Sequence, residues 1–145
     1  DDRHPLKELA ETILGEVRNG FVWIRVDKDG EPIIGLYKEE MVALEHAFET
    51  IIDAVIFANM GLIKPAAVRF HETRKKVEET MSAGQRITLP KNQDKFKEFV
   101  ELDDRFHDRF RRLEKAAEKG QKKVVKDHTH KLLDECVVCH EGFRK

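Results

Sequence analysis

The chain has 145 residues, of which 40% are hydrophobic and 38% charged, and its net charge is -1 at neutral pH; that is enough for one domain with a buried core beneath heavily charged surfaces. Positive and negative side chains are mixed along the chain, so no basic stripe points to nucleic acid and no acidic tail points to a basic partner. The longest apolar run, Ile51 to Leu62, is interrupted by Asp53 and Asn59 and falls short of the roughly 20 residues that span a bilayer.

The opening Asp1-Asp2-Arg3-His4 lacks the apolar stretch of a signal peptide, as expected of a mature chain whose targeting segment has been removed. Pro5 to Val17 follows as a short amphipathic helix, with Leu6, Leu9, Ala10, Ile13, Leu14 and Val17 at helical spacing and Asn19-Gly20 as its stop. Phe21 to Val26 and Ile33 to Tyr37 are β-branched and aromatic, and the polar Asp27-Lys28-Asp29-Gly30-Glu31-Pro32 between them marks a hairpin. An isolated two-stranded hairpin is marginal. This one, carrying Trp23 and Tyr37, is therefore expected to cap the rest of the molecule or to pair with a second copy in a homodimer.

From Lys38 the pattern is helical to the end. A first helix is expected from Lys38 to Met60, with Met41, Leu44, Phe48, Ile51, Ile52, Val55 and Asn59 on one face and Gly61 as its stop. A second starts at Pro65 and runs to Met81, with Phe70, Arg74, Val77 and Met81 on one side. Ser82 to Asn92 is the longest loop. A third helix covers Gln93 to Glu118, Gly120 breaks it, and a fourth covers Gln121 to Phe143. Short connections make neighbouring helices antiparallel. The expected fold is therefore all-α: an antiparallel up-down-up-down four-helix bundle over residues 38–145, extended by an N-terminal helix and β-hairpin over residues 1–37.

The two cysteines are too few for a secreted disulfide scaffold, but they stand in Cys136-Val137-Val138-Cys139-His140, the attachment pattern for c-type haem. Positions three apart lie on one side of a helix, so both thiols reach the two vinyl groups of one porphyrin, and the next residue offers an imidazole to the iron. A structural zinc site normally needs four ligands, and no second cysteine pair supplies the fourth. A thioredoxin-type pair belongs at the start of a helix in a βαβ unit, whereas this pair lies near the end of a helix in a chain without such units.

Extended by Glu141-Gly142-Phe143-Arg144, the motif reads C-x-x-C-H-x-x-F-R at the end of a four-helix pattern. It resembles the class II c-type cytochromes, the cytochromes c-prime and their low-spin relatives. The resemblance covers about residues 38–145 and is most specific at the C-terminal motif; residues 1–37 lie outside it. It implies one covalent haem c, completed outside the cytoplasm in the periplasm, and a methionine near the start of the first helix as a ligand in the low-spin members.

Met41 matches that position. With Leu44, Phe48 and Ile51 it forms a core seam at 3-4-3 spacing, and in an up-down-up-down bundle the start of the first helix shares an end with His140. Met81 shares that end too, whereas Met60 lies at the far end in the core. His46 is the rival ligand, but the 3.6-residue period turns it to the polar face. His71, His107, His128 and His130 read as peripheral or stay unplaced, although His128 or His130 could touch the haem edge, and His4 belongs to the N-terminal extension. Arg74, Arg86, Lys91 and Arg144 are candidates for pairing with haem propionates.

Cofactor-binding residues are thus expected at Cys136, Cys139, His140 and Met41, with His140 and Met41 on the iron. No nucleophile elbow, phosphate loop or second metal motif suggests an enzyme. The expected role is a periplasmic electron carrier working with redox partner proteins. The alternative is a five-coordinate gas-binding protein of the c-prime type, with Leu44 or Phe48 blocking the distal side.

Overall fold

The computed structural model describes residues 35–84 and 87–144, with side chains from Glu39 onward. These residues form four helices: α1 (Gly35–Ile56), α2 (Ile63–Ser82), α3 (Phe96–Glu118) and α4 (Lys122–Phe143). Single 3-10 turns at Met60–Leu62 and Gln93–Lys95 lead into α2 and α3, and no strand occurs among the described residues. The expected N-terminal helix and all of the hairpin up to Ile34 lie outside them. The last part of the hairpin is corrected: Gly35 to Tyr37, expected to close the second strand, begin α1 instead. Once a helix is nucleated each added residue contributes one further backbone hydrogen bond, so the good helix formers Lys38-Glu39-Glu40 carry the helix upstream of where local β preference would stop it.

The stop of α1 also differs from expectation. It ends at Ile56, not Met60, because Asn59 N–H donates to Ala54 O at 2.8 Å and Phe57 N–H to Asp53 O at 2.9 Å, while Ala58 takes the left-handed conformation at φ 55°. This is the helix-ending loop that glycine usually closes, here made by an alanine. Gly61 serves instead within the 3-10 turn that starts α2. The α3–α4 turn follows expectation: Gly120 sits at φ 68°, and Gln121 N–H donates to Ala116 O at 2.9 Å.

Side-chain pairs give the helix directions. Along α2, Lys64, His71 and Arg74 meet Glu118, Glu114 and Asp104 of α3 at 2.8, 2.8 and 2.6 Å, so one helix ascends as the other descends. Arg109 of α3 meets Glu135 of α4 at 2.7 Å, and Glu39 of α1 meets Lys76 of α2 at 3.8 Å. Successive helices therefore alternate in direction, and the start of α1, the end of α2, the start of α3 and the end of α4 share one end.

The main core runs through all four helices. Ala43, Leu44, Ala47, Ile51 and Ala54 of α1 pack with Ile63, Ala67 and Phe70 of α2, Phe106, Phe110 and Leu113 of α3, and Val125 and Leu132 of α4. Of the expected seam on α1, Leu44 and Ile51 are buried, and Met41 and Phe48 are half-buried against the same cluster. A second cluster lies toward the other end: Val77, Ile87, Leu89, Phe99 and Phe143, with Met81 and Cys139 packed against it. The loop before α3 thus folds back over the end of α4. Gln93 holds it in place by accepting from Leu89 N–H at 2.7 Å and donating to Ile87 O at 3.3 Å.

Candidate functional site

Between these clusters is a cavity of about 70 Å³. A water needs roughly 10–15 Å³ by this measure, so the space is far larger than a packing void. Met41 and Leu44 of α1, Phe70 of α2, Phe99, Leu102 and Phe106 of α3, and Cys136, Cys139, His140 and Phe143 of α4 line it, together with Leu89 of the loop. All four residues singled out from the sequence as cofactor ligands therefore face one space, and Met41 reaches it from a different helix than the other three.

The end of α4 is held in place by two contacts with other elements, and a third hydrogen bond closes the helix itself. Phe143 is buried edge-on against Phe99, with centroids 5.3 Å apart. Asn92, in the left-handed conformation at φ 57°, donates from its side chain to Gly142 O at 2.6 Å. Arg144 N–H donates to His140 O at 3.0 Å. The last two turns, which carry the cysteines and the histidine, are thereby anchored at their end to the start of α3 and to the loop before it.

Cys136 and Cys139 are free and half-buried. Burial pushes the Cys136 thiol up to about 11, with the neighbouring Cys139 and Glu135 adding to the effect. Burial also raises Cys139. A redox-active pair works through a depressed thiol pKa, and this pair is shifted the other way. His140 is lowered, first by burial and then by the positive charge of Arg144. A lowered pKa keeps the imidazole neutral, the form that can ligate a metal.

Part of the cavity wall is polar, with little sign of it along the chain. Glu40 is 0% exposed and His107 is 2% exposed; His107 Nε2 lies 2.8 Å from Glu40 Oε1 and 3.5 Å from Asp103 Oδ1. Phe70 stacks on the His107 ring, with centroids 4.7 Å apart and planes inclined by 13°. Arg74 donates to Asp103 Oδ2, to Asp104 at 2.6 Å and to Glu78 at 3.0 Å. Glu40, Asp103 and His107 all line the cavity.

His107, read from the sequence as peripheral or unplaced, is therefore a buried residue of the site. Its placement was partly legible: Asp103 and His107 are four apart on α3 and share a face. Nothing in the sequence pointed to Glu40 as their partner. Arg74, expected as a partner for an external anion, is instead held by three carboxylates of the chain. Lys91 is exposed, Arg86 lies outside the described residues, and Arg144 lines the cavity. His46 is exposed, as the helical period required. His71 is half-exposed and bonded to Glu114, His130 is exposed and His128 half-buried; none of these lines the cavity. Met81 packs near Cys139 in the second cluster, and Met60 packs at the far end. His4 lies outside the described residues.

No protein-family model matches the chain, and neither a curated protein nor a solved structure matches it. No helix among the described residues is long and apolar enough to cross a membrane.

Proposed function

We propose that this chain is a mono-haem c-type cytochrome of the class II kind that carries electrons between redox partner proteins in the periplasm, with haem c joined to Cys136 and Cys139 and its iron held by His140 and Met41. The observation that carries the proposal is the convergence of these four side chains on one cavity. The Cys136-x-x-Cys139-His140 spacing is local and could arise by chance. A thioether from another helix on the same space is not implied by that spacing.

The donor chemistry fits the group. Two thiols sit one helical turn apart, a neutral imidazole follows, and Met41 offers a soft thioether. When bound, haem c supplies one-electron chemistry, and a methionine ligand raises its potential. The chain's own residues do the rest. Leu44, Leu89, Leu102 and Phe106 exclude water from the iron's surroundings, which tunes the potential, and Phe143 and Asn92 hold the last turn of α4 so that His140 keeps its position. A porphyrin is bulkier than the present space, so loading it would require the cavity walls to move apart.

Acidified organic solvent should leave the haem on the denatured polypeptide; haem recovered in the solvent would sink the proposal. In the loaded protein, Met41→Ala should turn the ferrous haem high-spin and open it to carbon monoxide, while His46→Ala should leave the spectrum unchanged. Ready binding of carbon monoxide by the wild type would replace the carrier with the gas-binding alternative.

A further inference from the structure

Glu40, Asp103 and His107 are not used by the electron-carrier proposal, yet they line the same cavity and are the least expected feature of the molecule. Asp103 and His107 project from one face of α3, and Glu40 meets them from α1. One ligand atom from each lies within 4.8 Å of the other two. His107 Nε2 stands between the carboxylates, 2.8 Å from Glu40 Oε1 and 3.5 Å from Asp103 Oδ1. Donors bound to one tetrahedral ion at about 2.0–2.1 Å sit roughly 3.3 Å apart, so only small adjustments separate this arrangement from a ligand set.

A second, independent observation points to a ligand. Glu40 is wholly buried, and its Oε2 has no hydrogen-bond partner among the described residues. A buried carboxylate oxygen without a partner is costly. Arg74 does not relieve it, because its guanidinium is divided among Asp103, Asp104 and Glu78. What Arg74 does is take Asp103 Oδ2, which leaves Oδ1 turned toward His107. Phe70 fixes the imidazole plane by stacking on it. Supporting contacts of this kind orient the ligands of metal sites.

We propose that Glu40, Asp103 and His107 bind a divalent transition-metal ion on the cavity wall. One imidazole and two carboxylates suit Zn²⁺, Mn²⁺ or Fe²⁺ better than the all-oxygen preference of Ca²⁺ or Mg²⁺. The site is open on the cavity side, where water or an exogenous ligand completes the coordination. None of its three residues belongs to the attachment motif, and because they line the cavity that haem would enter, the ion is tested on the full chain with its cysteines free. A purely structural hydrogen bond between His107 and Glu40 is the alternative, and the experiment separates the two.

The test is equilibrium dialysis of the full chain, freed of metals by a chelator, against Zn²⁺. One equivalent should bind saturably, with affinity at least tenfold weaker in Glu40→Gln and in His107→Gln and unchanged in His46→Ala. Glu40→Gln preserves side-chain size and a hydrogen-bond acceptor for His107, so it decides the matter if His107→Gln loses helicity by circular dichroism. Absence of saturable binding at 100 μM Zn²⁺ overturns the proposal. So does binding that survives both substitutions but is lost in Cys139→Ser, since the ion then sits on the cysteine motif.

Discussion

Where α1 hands over to α2, Ala54, Ile63 and Ala67 are fully buried against Leu113 and Val125; at the opposite end Met41, Cys136, Cys139 and His140 are only half-buried around a cavity, facing a wall that holds Glu40, Asp103 and His107. The same four helices build both ends. At the closed end Ala54 of α1 and Ala67 of α2 are fully buried, and among the described residues no charged side chain is buried there. At the open end larger side chains, phenylalanines and a charged network hold the helices around a space. The closed end supplies stability through dense packing. The open end gives up packing in exchange for converging functional groups, as sites commonly do.

That contrast can be broken by truncation. Phe110 is wholly buried and lies 4.8 Å from Phe70 between ring centroids. Phe110→Ala should cost about 4 kcal/mol in urea denaturation, in the range for deleting a buried aromatic ring. Leu102, half-buried beside the cavity, should cost only about 1 kcal/mol as Leu102→Ala, because part of its surface already lacks protein neighbours. Equal costs at the two positions would mean that the ends do not differ in packing.

The charged wall gives the next largest effect. Arg74→Met removes the guanidinium that Asp103 and Asp104 share and should destabilise the chain by about 3 kcal/mol, the cost of stranding a buried charge. Adding Asp103→Asn should recover part of that loss by removing the stranded carboxylate. A double variant as unstable as the single one would show that Arg74 acts through packing of its stem and not through charge.

The smallest effect concerns pH. His128 on α4 is held below its ordinary value of 6.5, first by burial and then by the positive charges of Arg109, Lys131 and Arg112, with Asp127 opposing. Its folded form therefore binds a proton less readily than its unfolded form. As pH falls below about 6.5 the unfolded chain takes up more protons, so stability is lost in that direction. The urea midpoint should fall from pH 7 to pH 5, and fall less in His128→Gln. An unchanged slope in the variant would assign the acid sensitivity to other groups.

Much of this was legible along the chain. Leu44 and Ile51 fall in the core and His46 faces solvent because an α-helix repeats every 3.6 residues, and one turn of sequence suffices to sort its faces. Gly120 ends α3 because glycine takes the left-handed conformation without penalty. Gly61 does not end α1, since Ala58 adopts that conformation first, at a cost that residue type alone would not suggest. Gly35 to Tyr37 look like strand residues yet join α1, because helix propagation from Lys38-Glu39-Glu40 outweighs a weak local preference.

By itself, then, the sequence determined the four helical segments described, their amphipathic faces, and the spacing of Cys136, Cys139 and His140, all of which depend on neighbours within a few residues. Only the tertiary structure decided that Met41 faces the same cavity as that motif, that His107 is buried and not peripheral, and that Glu40 lies 2.8 Å from it across 67 residues of chain. Periodicity tells which side of a helix is turned inward, but not the height at which it meets a residue of another helix. That depends on how four helices slide and pack against one another, and no local pattern encodes it.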